Sequence, residues 1–217
     1  MSINRKIFAL GLAAILALAT SAQAIPTLML SDGTVTVTIT DGSLLDSNPL
    51  AGAVTYIGAV GENWYENVTT GQTIPLIGSQ NVPQMDLSTV NNSNGAGTMR
   101  ILFSETGFGP TTCVYQASLG GASSNPLDTV VFRAQADDPL TSIHGTGTSF
   151  SGDASSASVD LVYPYSLTET VIIRHVGRSL TSLNAGLIDN PTVPEPSVML
   201  LLGAGFMGLG LVRRKRA

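Results

Sequence analysis

Side chains able to do covalent or acid–base chemistry are few in this chain and scattered. His144 and His175 are its only histidines, and Cys113 is its only cysteine. A hydrolase triad needs an imidazole between a nucleophile and a carboxylate. No G-x-S-x-G is present, and Gly147-Thr148-Ser149-Phe150-Ser151 lacks the closing glycine, so no nucleophile elbow is expected. Glu62, Glu66, Asp86 and Glu105 could supply the acid pair of a glycosidase. That reaction needs two carboxyl groups roughly 5 to 9 Å apart, which no linear spacing guarantees. Asp137-Asp138 and Ser151-Gly152-Asp153 offer oxygen ligands for calcium, but neither follows EF-hand spacing, so solvated loops are expected. No Cys/His cluster exists for structural zinc. No catalytic, cofactor or metal residue is therefore assigned, no cofactor is expected, and the expectation is a protein that is not an enzyme.

Trp64 and Tyr65, with Tyr56 nearby, form the one aromatic group of binding interest. Exposed rings stack on the apolar faces of sugars, so Trp64 and Tyr65 are the candidate sugar-binding residues. The competing reading places Trp64 on an alternating strand with its ring in the core, and it carries more weight. Gly203-Ala204-Gly205-Phe206-Met207-Gly208 spells G-x-G-x-x-G, but a dinucleotide site needs a preceding strand and a βαβ unit. In an apolar span the same residues, Ala204 and Gly208 above all, suit close helix approach.

Charge narrows the partners. Between residues 25 and 193 there are four basic residues, Arg100, Arg133, Arg174 and Arg178, no lysine, and fourteen acids, a formal charge of −10. The whole-chain value of −5 conceals this, because the other six basic residues lie near the termini. Nucleic acid is not an expected partner, since phosphate contacts need clustered Lys and Arg. Cys113, in Thr112-Cys113-Val114-Tyr115, cannot close an intramolecular disulfide, and burial on a strand is favoured over an intermolecular bridge.

The elements that must position these residues are strands. Asp32-Gly33 and Asp41-Gly42 bracket Thr34-Val35-Thr36-Val37-Thr38-Ile39-Thr40, whose period of two puts Val35, Val37 and Ile39 on the core face. Further strands are expected over residues 53–60, 63–68, 98–103, 112–118, 129–136, 157–163 and 167–176. Turn formers separate them, including Thr70-Gly71, Asn94-Gly95-Ala96-Gly97, Gly120-Gly121 and Asp138-Pro139. A helical turn near Met85 to Val90 is the one exception. The expected fold is all-β, a single antiparallel β-sandwich of about eight or more strands.

Both ends of the chain read as targeting segments. Arg5 and Lys6 precede the apolar run Ile7 to Ala19, and Ala22-Gln23-Ala24 follows, the layout of a secretory signal peptide cleaved after Ala24. At the other end stand Pro194-Glu195-Pro196, sixteen uncharged residues from Ser197 to Val212, and the basic run Arg213, Arg214, Lys215, Arg216. Sixteen helical residues rise about 24 Å against a hydrocarbon core of about 30 Å, marginal for a permanent anchor. The basic run favours the cytoplasmic side and leaves the preceding chain outside. The prolines keep Glu195 on a stiff, non-helical segment at the membrane surface. The expected organisation is a signal peptide helix over 1–24, a β-sandwich body over 25–192, and a sorting tail with a transmembrane helix over 193–217.

This tail resembles the PEP-CTERM sorting signal of bacteria that make extracellular polysaccharide. The resemblance implies export, recognition by an exosortase-like membrane enzyme, and removal of the tail. The processing residues it points to are Pro194, Glu195, Pro196 and Arg213 to Arg216, with Ala22 and Ala24 serving the signal peptidase of the secretion machinery. The body resembles an uncharacterised domain recurrent among such proteins, on Ser31 to Gly42, Asn48 to Gly71, Met85 to Gly109 and Pro164 to Gly177. The expected function is that of an exported surface or matrix protein with a structural or interaction role beside extracellular polysaccharide. A carbohydrate-binding module is the alternative, and a secreted hydrolase the weakest reading.

Overall fold

Alternation of burial along each segment governs the architecture. In Gly97–Phe108, for example, Met99, Ile101, Phe103 and Glu105 turn inward while Thr98, Arg100, Leu102 and Ser104 turn outward. The computed structural model describes residues 25–191, and these form twelve β-strands. They are β1 (Thr27–Ser31), β2 (Thr36–Thr40), β3 (Ala53–Val60), β4 (Trp64–Gln72), β5 (Gln84–Ser93) and β6 (Gly97–Phe108). Then follow β7 (Thr111–Ser123), β8 (Thr129–Gln135), β9 (Pro139–Thr146), β10 (Ser149–Leu161), β11 (Tyr165–His175) and β12 (Ser179–Pro191). The expected signal-peptide and transmembrane helices lie outside the described residues.

Two six-stranded sheets result, both antiparallel throughout. Sheet A runs β2-β1-β6-β11-β8-β9 and sheet B runs β10-β7-β12-β5-β4-β3. They form a sandwich, with Leu28, Phe103, Phe132 and Val171 of sheet A meeting Leu87, Tyr115, Leu119 and Leu183 of sheet B in one core. Successive strands cross repeatedly between the sheets from β5 onward, so most contacts are distant in sequence. The short turn after β9 carries the chain from the edge of sheet A to the edge of sheet B, and residues 41–52 do the same between β2 and β3. Thr27 pairs with Ser104, and Pro191 with Cys113. Since β6 and β7 meet at the short turn 109–110, both ends of the described chain emerge at one end of the sandwich.

Four expectations need correction. The segment near Met85 to Val90 is the middle of β5, its inward positions taken by Met85, Leu87, Thr89, Asn91 and Ser93. Val35 is 43% exposed, because β2 is an edge strand that starts one residue later; Ile39 is fully buried and Val37 only partly. The strand expected over 157–163 is β10, which starts at Ser149 and ends at Leu161. Gly71 and Gly121 do not turn the chain but lie within β4 and β7. A Cβ on Gly71 would stand 2.4 Å from the Phe103 ring, and one on Gly121 2.7 Å from Phe150. Glycine appears mid-strand where another group presses on the backbone.

Candidate functional site

At the end of the sandwich opposite Pro191, six buried polar side chains converge between the sheets. His175, the last residue of β11, places Nδ1 2.6 Å from Ser93 Oγ and Nε2 2.8 Å from Thr181 Oγ1. Asp128, just before β8, stands with Oδ2 3.8 Å from Nε2. Its closer partners are the hydroxyls of Ser123 at 2.6 Å and Ser179 at 2.5 Å, both donating to Oδ2, and the Val176 N–H, which donates to Oδ1 at 3.0 Å. Burial alone would raise the Asp128 carboxyl, but these donors and the nearby imidazole outweigh it and hold it below the ordinary range. Burial pushes His175 downward against the opposing pull of Asp128. The pair is therefore a carboxylate beside a neutral imidazole.

Serine, histidine and aspartate thus do meet, but not as a catalytic relay. The acid is held by hydroxyls and a backbone amide rather than by the imidazole, and Thr181 occupies the nitrogen that a relay would give it. His175 is 1% exposed and Ser93 fully buried, so no substrate reaches them. The network ties β5, β7 and β12 of sheet B to β11 of sheet A and to the start of β8. In the low-dielectric interior such a fully satisfied network fixes one arrangement of the strands. Its sequence signal was weak: a polar residue on the inward parity of each strand, with partners up to 82 positions apart.

Trp64 belongs to the same end and is buried, 1% exposed, with its ring centroid 4.6 Å from that of His175. A ring this buried is a core residue and not a sugar platform. Tyr65 points the other way and is half-buried. Tyr56 donates its hydroxyl to the Ala59 carbonyl at 2.7 Å. His144 is exposed on β9, on the opposite parity from the core, and the structure does not bring it to His175. Of the candidate glycosidase acids, Glu105 points into the core and Asp86 lies on the outer side of sheet B, accepting from Asn184 at 2.9 Å. Asp153 is exposed on β10, and Asp137 and Asp138 lie in the turn before β9. Among the described residues, no group of three or more His, Cys, Asp or Glu is placed to hold a metal.

Further titratable groups are buried elsewhere. Tyr115 and Tyr165 join their hydroxyls at 2.8 Å, and Asp189 accepts from Thr111 at 3.1 Å. Cys113 is fully buried, as expected, and burial with the neighbouring Asp189 pushes its thiol to about 11. Glu105 and Glu169 are buried with neither carboxyl oxygen hydrogen-bonded. Burial drives Glu105 up to about 8, with the Asp41 charge adding to it, and Glu169 well above its ordinary range.

The outer faces of the two sheets differ in charge. Arg100 on β6, Arg133 on β8 and Arg174 on β11 are exposed on the outside of sheet A. The strands of sheet B contain no basic residue. A groove of about 360 Å³ beside Arg133 is lined by Gln135, Pro139, Leu140, Thr141 and Ser142.

No curated protein matches the chain. Among solved structures, a carbohydrate-binding module named TmCBM61, in complex with β-1,4-galactotriose, is 8% identical, with 58% of this chain and 88% of that chain covered and a TM-score of 0.39. The C-terminal CBM6 of the laminarinase LamC from Zobellia galactanivorans is 13% identical, with 75% and 98% covered and a TM-score of 0.28. A PA14 sugar-binding domain from an RTX adhesin is 9% identical, with 78% and 91% covered and a TM-score of 0.28. Residues 192–216 match the PEP-CTERM protein-sorting motif, so Pro194, Glu195, Pro196 and the run Arg213 to Arg216 fall within it. The chain carries a PEP-CTERM sorting motif directly after its last strand, the mark of an exported protein processed at the membrane by an exosortase-type enzyme.

Proposed function

We propose that this protein is made with a cleaved signal peptide, is released from its C-terminal tail by an exosortase-type enzyme, and then serves at the cell surface or in an extracellular polysaccharide matrix. Its sandwich acts there as a structural or interaction module without enzymatic activity. The observation that carries this reading is the sorting motif over residues 192–216, which begins where β12 ends. The sealed His175 network supports a non-enzymatic body, because the one place among the described residues where nucleophile, imidazole and acid meet is buried.

The test replaces Pro194, Glu195 and Pro196 together by alanine in a host with the matching exosortase. Wild type should yield a mature chain beginning at Ile25 and lacking the tail. The triple variant should stay membrane-bound at higher mass, because its apolar span and basic run are intact. Identical processing of both would refute the reading.

A carbohydrate-binding role is the second reading. It is supported by the hydroxyl-rich outer face of sheet A with its arginines, and no longer by Trp64, whose ring is buried.

A further inference from the structure

The strand registers align the outward residues of sheet A into rows. One row runs Ser31, Arg100, Ile172, Val131, His144. The next runs Met29, Leu102, Thr170, Arg133, Ser142, and on the other side Thr98, Arg174, Thr129 and Thr146 form a third. A fourth continues through Thr27, Ser104, Thr168 and Gln135. No acid stands in any of these rows, although the body holds fourteen. The acids of this sheet point inward, as Glu105 and Glu169 do, or lie outside its strands, as Asp32, Asp41, Asp128, Asp137 and Asp138 do. Sheet B shows the reverse, with Asp86, Asp153 and Asp160 on its strands and no arginine.

Three of the body's four arginines thus share one face of a body with a formal charge of −10. Among the described residues the one ion pair is His175 with Asp128, so none of the three guanidinium groups is paired with a described carboxylate. Around them stand Thr and Ser hydroxyls, and the half-buried Leu102 and Ile172 lie between. No Phe, Tyr or Trp stands in the rows, and His144 at the edge is the one ring, so the face lacks the stacking platform of a single-strand nucleic-acid binder and the large aromatic anchors of a protein interface. Guanidinium forks suit carboxylates, and hydroxyls suit a polyol. Arg174 pairs with Thr129, four residues before Arg133, which separates the two arginines by roughly 14 Å along the strands. A small anion cannot bridge that distance, whereas an extended polymer with repeating carboxylates can.

We propose that the outer face of sheet A binds a carboxylated polysaccharide through Arg100, Arg133 and Arg174. This deepens the matrix role above and rests on it for biological meaning, but the binding can be measured whether or not the tail is processed as proposed.

The experiment passes the exported protein over immobilised alginate, dextran and dextran sulfate, with titration of soluble alginate for affinity. Saturable, salt-sensitive binding to alginate and none to dextran is expected. Each of Arg100→Gln, Arg133→Gln and Arg174→Gln should weaken it about two- to fivefold, the range of exposed ion pairs, and the triple variant about ten- to a hundredfold. Arg178→Gln, in the turn between β11 and β12, should leave binding unchanged, and the triple Arg→Lys variant should fall between wild type and triple Gln. Unfolding curves of the variants matching wild type exclude a folding defect. Undiminished alginate binding by the triple Gln variant, equal binding to dextran, or tighter binding to dextran sulfate would overturn the assignment. So would a dimer that forms without polysaccharide and is broken by the triple variant, because the face would then join two copies of the chain.

Discussion

Alongside the buried Glu169, Glu105 costs this protein stability as pH rises from mildly acidic to mildly alkaline, and replacing Glu105 by glutamine should remove that share of the loss. The carboxyl is 1% exposed, neither oxygen has a hydrogen-bond partner, and the nearby Thr73 hydroxyl is likewise unpartnered. Burial raises its pKa from 4.5 to about 8, the Thr73 hydroxyl opposes, and the Asp41 charge adds to the rise. Above the unfolded value of about 4.5 the unfolded chain releases the proton while the folded chain keeps it. Stability is therefore full below pH 4.5, falls as pH climbs, and levels off past the folded value. A rise from 4.5 to about 8 corresponds to about 5 kcal/mol at 1.36 kcal/mol per pH unit, and local relaxation and water entry reduce it to roughly 2–3 kcal/mol. The assay is urea unfolding of wild type and Glu105→Gln at intervals from pH 4.5 to 9. The variant should match wild type within about 1 kcal/mol at the acid end, since one neutral group replaces another of similar size, and exceed it by roughly 2–3 kcal/mol at pH 9. Parallel curves would show that Glu105 does not hold its proton in the folded protein, and would refute the reasoning.

Three further outcomes follow from the same core. Gly71→Ala should destabilise by about 1–3 kcal/mol in thermal unfolding, because its Cβ would meet the Phe103 ring at 2.4 Å. Asp128→Ala should cost roughly 3–5 kcal/mol, since it strands the Ser123 and Ser179 hydroxyls and the Val176 N–H, while Asp128→Asn should recover part of that in the same measurement. Cys113 should resist a thiol reagent at pH 8 in the folded protein and react on addition of urea, because it is fully buried with its thiol held at about 11.

The sequence disclosed the fold class because β-branched alternation survives in strands such as β2 and β8, where Val130, Phe132 and Ala134 point inward. It concealed strands whose inward face is polar. In β5 the core parity carries Thr89, Asn91 and Ser93 after Met85 and Leu87, so the apolar period fades halfway along. In β12 the buried Ser179, Thr181 and Asp189 and the exposed Leu180 and Ile188 blur the same signal. Gly71 and Gly121 resembled turn residues because glycine is ambiguous until the ring pressing on it is known. The His175 network was illegible for a related reason: each member is an ordinary residue, and only the antiparallel registers bring Ser93, Asp128 and Thr181 to one imidazole. The sorting motif was legible, since its parts are contiguous and their order carries the signal.

The buried acids also bear on how the body meets a polyanion. A formal charge of −10 counts Glu105 and Glu169 as ionised, yet burial disfavours the charged form of both, raising Glu105 to about 8 and Glu169 well above its ordinary range. Asp128 and Asp189 are buried as well, and the other acids lie in turns or on the strands of sheet B, outside the rows that bear Arg100, Arg133 and Arg174. At physiological ionic strength a charge is screened beyond about 8 Å, so an anionic chain lying along sheet A senses the nearby arginines more than the acids on the opposite sheet. The segregation therefore does what net charge alone would forbid. It keeps the protein acidic as a whole while leaving one hydroxyl-rich face that attracts carboxylates, and it orients the sandwich on such a polymer with sheet A inward and sheet B outward.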